Sequence, residues 1–184
     1  MSSSTSFRMS PAAERPDRIL LPATPHSAQV KAAFNNVVAP VSALSALIGD
    51  EPDGIIATSL SVGVSFDPPM VMFAVRNGSR TWPRLRRAPR IGISVLGQDQ
   101  SQLCRQIAYN SGTDRFSRLA LTATPEGAVL LEDASTWFDC SIESEVPAGD
   151  HQVVVFRVHA VDSSDSVRPL AFHRTQYSSL TTGN

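Results

Sequence analysis

The chain has 184 residues, 42% of them hydrophobic, and a formal net charge of −1 at pH 7. This length predicts one domain with a sizeable core, and the balanced charge gives no reason to expect nucleic acid or an acidic membrane surface as a partner. The two cysteines, Cys104 and Cys140, lie far apart and outside any C-x-x-C pattern. This spacing excludes a recognisable zinc site and a disulfide framework, and it predicts buried thiols in a reducing compartment.

The first 26 residues contain four prolines, five serines and few large apolar side chains. Such a segment buries too little apolar surface to order itself, so we predict a disordered tail at residues 1–26 and a folded domain at 27–184. A transit peptide is the alternative, although Glu14 and Asp17 argue against it. The tail lacks the apolar core of a secretion signal, and no run approaches the roughly 20 apolar residues of a membrane span. We therefore expect a cytoplasmic protein with no membrane partner.

The first ordered elements are predicted to be a short helix and a hairpin. Ser27 is a suitable N-cap for a helix that ends before Pro40. The small apolar residues 41–48 and the chain from Ile55 onward are typical of two strands. Residues 49–54, with the sequence G-D-E-P-D-G, predict the turn between them.

The stretch 57–75 has the most distinctive pattern. Its first half carries the hydroxyl side chains Thr58, Ser59, Ser61 and Ser65. The pair Pro68-Pro69 cannot continue a paired ladder, so a turn is expected there, and the apolar residues 70–75 then predict a buried strand. The hydroxyl groups indicate either a surface that holds a polar ligand or an exposed strand, and the residues alone favour the exposed strand.

The chain from residue 76 to residue 109 is predicted to form two short helices around one strand. Thr81 is a suitable cap for the first helix, and Pro83 fits its first turn. The alternating residues 91–96 predict a strand. Asp99 is predicted to cap the second helix, in which apolar residues recur at the i, i+4 spacing.

The last third of the chain is predicted to contain two strands, at 129–146 and 152–161, joined by a turn at 147–150. Residues 110–126 before them are polar and turn-rich. Many strands, few helices and short turns together predict a mostly antiparallel β-barrel.

Four motifs, in this order, resemble the short-chain NAD(P)H:flavin reductases, the reductase components of two-component flavin-dependent monooxygenases. They are S-F-D-P-P-M-V-M-F-A-V at 65–75, N-G-S-R-T-W at 77–82, I-G-I-S-V-L at 91–96, and W-F-D-C at 137–140 followed by G-D-H at 149–151. The similarity spans residues 34–180. It implies a mostly β fold, the FMN-binding split barrel, which is a split antiparallel β-barrel of Greek-key type with a few short helices.

The resemblance also implies a function. A reductase of this family takes hydride from NADH or NADPH, reduces FMN or FAD, releases the reduced flavin to a partner monooxygenase, and acts as a homodimer. The cofactors make and break the bonds, so neither a metal nor a protein nucleophile is required. The sequence leaves open which flavin and which nicotinamide cofactor are used. It also leaves open a non-enzymatic flavin-binding protein, a flavin-dependent oxidase or oxygenase of the same fold, and a degenerate barrel that serves as a partner module.

In this family the strand equivalent to 57–65 lies along the flavin. The implied cofactor contacts are Thr58, Ser59, Leu60 and, as a match to a family serine, Ser65. The family usually has T-A-N or T-A-S where this chain has Ala57-Thr58-Ser59, and Gly63 stands where a serine is common. The lost hydroxyl at Gly63 predicts weaker retention of the flavin.

The loop 76–81 matches the phosphate-contacting loop of the family. The residues implied to contact phosphate are Ser79, Arg80 and Thr81. Free N–H groups at a helix N-terminus beside a guanidinium favour an anion on physical grounds, and an ordinary capped helix is the alternative. The arginines at 84–90 are predicted to form a solvated face.

His151 matches the histidine of the family motif G-D-H and is the predicted catalytic residue. Its imidazole is expected to hydrogen-bond the flavin or the nicotinamide carboxamide, with Asp150 fixing its orientation. A turn histidine paired with its neighbour is the alternative. Tyr177 lies where relatives touch the ligand region, which implies either a cofactor contact or core packing. Phe116 lies in a loop that covers the dinucleotide in relatives.

Overall fold

The computed structural model describes residues 20–109 and 112–179. Residues 1–19 of the predicted tail therefore lie outside the described residues. The chain divides into two compact units, Met1–Phe34 and Asn35–Asn184. The described part of the first unit contains most of helix α1 (Ala28–Asn35), which has no buried residue. The Oγ of Ser27 accepts a hydrogen bond from the Val30 N–H at 3.3 Å, which confirms the predicted N-cap.

The second unit is built mainly from strands, as predicted. The strands are β1 (Ala39–Pro40), β2 (Ser42–Ile48), β3 (Glu51–Ala57), β4 (Ser61–Phe66), β5 (Pro69–Arg76), β6 (Ile91–Val95), β7 (Leu121–Ala123), β8 (Val129–Leu131), β9 (Thr136–Ala148), β10 (His151–Ser163), β11 (Leu170–His173) and β12 (Gln176–Ser179). The helices are α2 (Trp82–Leu85) and α3 (Ser101–Tyr109), with a 3-10 turn at Gly112–Arg115. No helix formed by the described residues is long and apolar enough to cross a membrane.

Seven strands form one antiparallel sheet in the order β3-β2-β6-β9-β10-β5-β4. Strands β3 and β4 are its two ends, and among the described residues no ladder joins them, so the sheet is open where the sequence predicted a barrel. The chain leaves the ladder between Ala57 and Ser61. In this gap the hydroxyl of Ser59, rather than a main-chain pair, bonds to β5.

Two hydrophobic cores lie on opposite faces of β2 and β6. Leu44 and Ile93 point into the inner core, where Phe73 and Phe156 are buried. The outer core packs β2 against α3 and against the small sheet β1-β11-β12, and Phe116 is buried in it. Because β6 is covered on both faces, all five of its residues are buried.

Three boundaries differ from the predictions, two because strand pairing extends further than turn residues indicate and one because a predicted strand is interrupted. The β2–β3 hairpin turns at Gly49-Asp50, since residues 51–54 pair with 45–48. Gly54 fits in this strand because a Cβ there would lie 2.5 Å from the Leu44 carbonyl oxygen. The late hairpin turns at Gly149-Asp150, and the strand predicted at 129–146 is interrupted between β8 and β9, where Asp133 has a φ of 58°.

Both cysteines are buried free thiols, as predicted. Burial raises the pKa of Cys140 to about 12, and burial also raises the pKa of Cys104. Both groups therefore stay protonated and unreactive near neutral pH.

Candidate functional site

A cleft of about 830 Å³ opens between the end of β3 and the second half of β5. It is lined by residues 55–59, 73–79 and 150–151. The predicted site residues that it brings together are Thr58, Ser59, Ser79, Asp150 and His151. These residues come from separate segments of the sequence. Strand β5 supplies the segment 73–76 of the lining and is bonded to the other two segments, through Ser59 and through His151.

The floor of the cleft is apolar. Ile55, Ala57 and Val75 line it together with Phe73. The ring of Phe73 stacks on Phe156 with centroids 5.6 Å apart. An apolar floor held by packed aromatic rings suits a planar ring system.

Ser59 stands at the edge of this floor, where it joins the chain after β3 to β5. Its Oγ donates to the Ala74 carbonyl at 2.9 Å and accepts from the Ala74 N–H at 3.0 Å. The Ser59 hydroxyl is therefore already hydrogen-bonded within the protein, as donor and as acceptor. A ligand in the cleft is left with the Thr58 hydroxyl and the main chain of Thr58 and Ser59.

We expect Ser59→Ala to lower the free energy of unfolding by about 1 kcal/mol, because two exposed main-chain groups lose their partner but regain water. The melting temperature should fall by about 2–4 °C. Thr58→Ala is the matched control, because the Thr58 hydroxyl is exposed and bonds to no described residue. An equal fall in both variants would contradict the role given to the Ser59 hydroxyl.

Asp150 and His151 form one wall of the cleft, at the turn between β9 and β10. The His151 Nδ1 lies 2.8 Å from the Asp150 Oδ1, as the sequence predicted. With Nδ1–H donating to the carboxylate, Nε2 is the acceptor that points away from the pair. The Asn77 N–H donates to the Asp150 carbonyl at 3.0 Å and its Nδ2 to the Gly149 carbonyl at 3.2 Å, so the turn is fixed to the loop after β5.

The loop Asn77–Thr81 adjoins the turn between β9 and β10, and its residues Asn77, Gly78 and Ser79 line the cleft. The Ser79 Oγ accepts from the Trp82 N–H at 3.2 Å. Ser79, and not Thr81 as predicted, is therefore the side chain that caps α2, because the Thr81 backbone is already helical and its hydroxyl accepts from Arg115. The N–H groups of Gly78, Arg80 and Thr81 donate to no acceptor in the described part of the chain.

Three of the four arginines in the run after this loop pair with carboxylates, and Arg84, Arg86 and Arg87 are exposed, which confirms the predicted solvated face. The pairs are Arg84 with Asp53, Arg86 with Glu145, and Arg90 with Asp139. Arg76, Arg80 and Arg87 have no carboxylate partner among residues 20–109 and 112–179. Arg76 lines the cleft, and the exposed Arg80 adjoins it.

The remaining predicted contacts lie away from the cleft. Leu60 and Phe116 are buried at 6% and 4% exposure, and Ser65 is a partly buried residue of β4. The Tyr177 hydroxyl lies 2.9 Å from the Cys104 sulfur and lines a separate depression of about 240 Å³. Burial and this contact raise the pKa of Tyr177 to about 12. The sequence left two interpretations of Tyr177 open, a cofactor contact and core packing. Within one chain, the geometry favours packing.

Sequence reasoning missed Arg76 and Asn77 as lining residues. Asn77 is the first residue of the recognised N-G-S-R-T-W segment and Arg76 directly precedes it, and their position at the end of a buried strand was the available signal.

A model of the flavin reductase like domain matches residues 32–181. The chain belongs to the flavin reductase-like family. An NADH:FMN oxidoreductase of Rhodococcus qingshengii is 32% identical over 152 residues, which cover 80% of this chain and 78% of that protein. The reductase subunit of a flavin-dependent monooxygenase of Rhodococcus jostii is 31% identical over 129 residues, 70% of this chain and 65% of that protein.

A solved structure with the same fold is an NADH:FAD oxidoreductase of Streptomyces globisporus C-1027, in complex with NAD and FAD fragments. It superposes with a TM-score of 0.76 at 25% identity, over 83% of this chain and 92% of that chain. The family that the sequence motifs implied is thus confirmed, as is a mostly β fold with few helices.

Proposed function

We propose that this family member is an NAD(P)H-dependent flavin reductase that supplies reduced FMN or FAD to a partner monooxygenase. The observation that carries the proposal is the cleft, because it combines an apolar floor, a loop with unpaired N–H groups and an oriented histidine. The names of its relatives support the chemistry and the partner. We also infer that the open sheet is the split barrel of the family, and that the protein is cytoplasmic.

The residues of the cleft fit a flavin nucleotide. The floor suits the isoalloxazine ring, and the N–H groups after β3 can bond its polar edge whatever the side chains are. At the other end, the N–H groups of Gly78 and Arg80 and the Arg80 guanidinium suit a phosphate, whereas Thr81 is only 3% exposed and does not line the cleft. Helix α2 has only four residues, so its dipole contributes little, and the loop itself is the proposed anion site.

His151 is the proposed catalytic residue. A flavin held by these residues would supply the hydride acceptor for the nicotinamide ring. The protein has to hold the two rings together and keep one face of the flavin open. A hydrogen bond from the ring or carboxamide of a ligand to the His151 Nε2 serves this purpose, and Asp150 holds the imidazole in place.

We expect His151→Ala to lower kcat/KM by about tenfold, which corresponds to the loss of one hydrogen bond in the transition state. His159→Ala is the control. His159 is also a strand histidine with one side-chain partner, the Ser141 hydroxyl, but it does not line the cleft. Both variants are assayed by the steady-state rate of NADH oxidation. Equal kcat/KM values for His151→Ala and the native protein would show that His151 has no role in the mechanism.

The flavin is proposed to be held loosely. Gly63 has a φ of +69°, so a serine there would be strained, and the absence of its hydroxyl follows from the local backbone. Anaerobic reduction by NADH followed by ultrafiltration tests release of the flavin. Reduced flavin in the filtrate is the expected result. Reduced flavin retained with the protein would instead favour a flavin-dependent oxidase or oxygenase.

We further propose that the protein is a homodimer. The support is the number of large apolar side chains exposed on strands, such as Phe66 at 87%, Val161 at 64% and Val62 at 62%. Two of these lie on the end strand β4. Association of two copies would remove such surface from water. Light scattering at micromolar concentration measures the mass directly.

A further inference from the structure

Asp53 lies outside the cleft, on the strand that supplies part of its floor. Its carboxylate is only 15% exposed. The Oδ2 atom accepts from the Nε and Nη2 of Arg84 at 2.9 and 2.7 Å. The Oδ1 atom accepts from the Gly54 N–H at 2.9 Å and lies 3.4 Å from the Nη1 of Arg115. One carboxylate therefore connects β3, α2 and the segment that contains Arg115.

Both arginines that contact Asp53 also donate hydrogen bonds to the proposed phosphate loop. The Nη1 of Arg84 donates to the Arg80 carbonyl at 3.0 Å. The Nη1 of Arg115 donates to the Thr81 hydroxyl at 2.6 Å and to the Gly54 carbonyl at 3.0 Å. Thr81 and the Arg115 guanidinium are 3% and 17% exposed, so the second of these connections is largely shielded from water.

We propose that Asp53 is a positioning residue for the flavin phosphate. It rests on the proposed function, because it assumes that the loop Gly78–Thr81 binds the phosphate. Asp53 fixes Arg84 and Arg115, and these fix the Arg80 carbonyl and the Thr81 side chain. The loop is then held in place before the ligand arrives, which lowers the cost of ordering it on binding.

The same geometry predicts what the loss of the charge would do. An asparagine at position 53 has the shape of aspartate but only one acceptor oxygen. One of the two arginines would then lose its acceptor, and the loop residue that it holds would be released. The isoalloxazine end of the cleft has no bond to Asp53, so the effect should be confined to flavins that carry a phosphate.

The test compares Asp53→Asn with the native protein in equilibrium titrations with FMN and with riboflavin, which lacks the phosphate. We expect the FMN Kd to rise by about tenfold, the riboflavin Kd to stay within about twofold, and kcat at saturating FMN to stay within about twofold. Glu143→Gln is the matched control. It removes the carboxylate of the Glu143–Arg157 ion pair, which is exposed on the sheet surface. This change should alter neither Kd.

Thr81→Val provides a second route if Asp53→Asn does not fold. It removes only the hydroxyl that Arg115 reaches, and the FMN Kd should again rise while the riboflavin Kd does not. An equal rise for both ligands would overturn the proposal, because it would indicate general damage to the cleft. An unchanged FMN Kd would overturn it as well. A native protein that binds neither flavin would overturn the proposed function together with this inference.

Discussion

Ser79→Asp should weaken FMN binding by on the order of 100-fold, or about 2.7 kcal/mol, and leave riboflavin binding nearly unchanged. Ser79 lines the cleft at the end where the loop N–H groups are unpaired. A carboxylate there would face the proposed phosphate, and juxtaposed like charges cost several kcal/mol when partly desolvated. Fluorescence titration with the two flavins separates the phosphate from the ring.

The native Ser79 also caps α2 by accepting from the Trp82 N–H. Aspartate and asparagine are both good N-caps, so Ser79→Asn is a control that keeps the cap and adds no charge. It should raise the FMN Kd only a few-fold. If Ser79→Asp and Ser79→Asn bind FMN equally, the phosphate does not lie at this loop.

Gly92→Ala should destabilise the fold by about 3 kcal/mol or more, the upper range for overpacking a closed site. A Cβ at this position would lie 2.1 Å from the carbonyl oxygen and 2.7 Å from the carbonyl carbon of Val129. Both atoms belong to the main chain of β8, which cannot move aside as a side chain can. Strand β6 is itself paired on both edges, with β2 and β9, so it cannot shift either.

The expected fall in melting temperature for Gly92→Ala is about 6–12 °C. Gly78→Ala is the control for stability, because no heavy atom lies within 4 Å of a Cβ at Gly78. Its free energy of unfolding should change by less than about 0.5 kcal/mol. A Gly92→Ala protein that melts within 2 °C of the native protein (roughly the control's range) would contradict the close packing of β6 against β8.

The fold could be predicted from the sequence where the signal was local. The pair Pro68-Pro69 correctly predicted the turn before β5, and the alternating residues 91–96 correctly predicted β6. Turn lengths were overestimated wherever a glycine or proline pairs within a strand. Gly54 is the clearest case, because its need for a small side chain arises from Leu44 and Phe116, which are distant in the sequence.

The candidate site was predictable in part for the same reason. Ser79, Asp150 and His151 lie in motifs that can be recognised locally, and the cleft contains all three. The hydrogen bonds of Ser59 to Ala74 and of Arg115 to Thr81 join residues 15 and 34 positions apart. No periodicity or motif encodes such pairs. For Ser59 the consequence is that a hydroxyl that resembles a ligand contact is instead part of the scaffold.

The central claim is that this protein transfers hydride from a nicotinamide cofactor to a flavin that it does not retain. The most direct test is the absorbance of the nicotinamide band with purified protein, with NADH or NADPH, and with FMN, FAD or no added flavin. We predict rapid oxidation only when a flavin is supplied, and the faster pair identifies both cofactors. No oxidation with any pair by folded protein would contradict the reductase function and leave a flavin-binding or partner module.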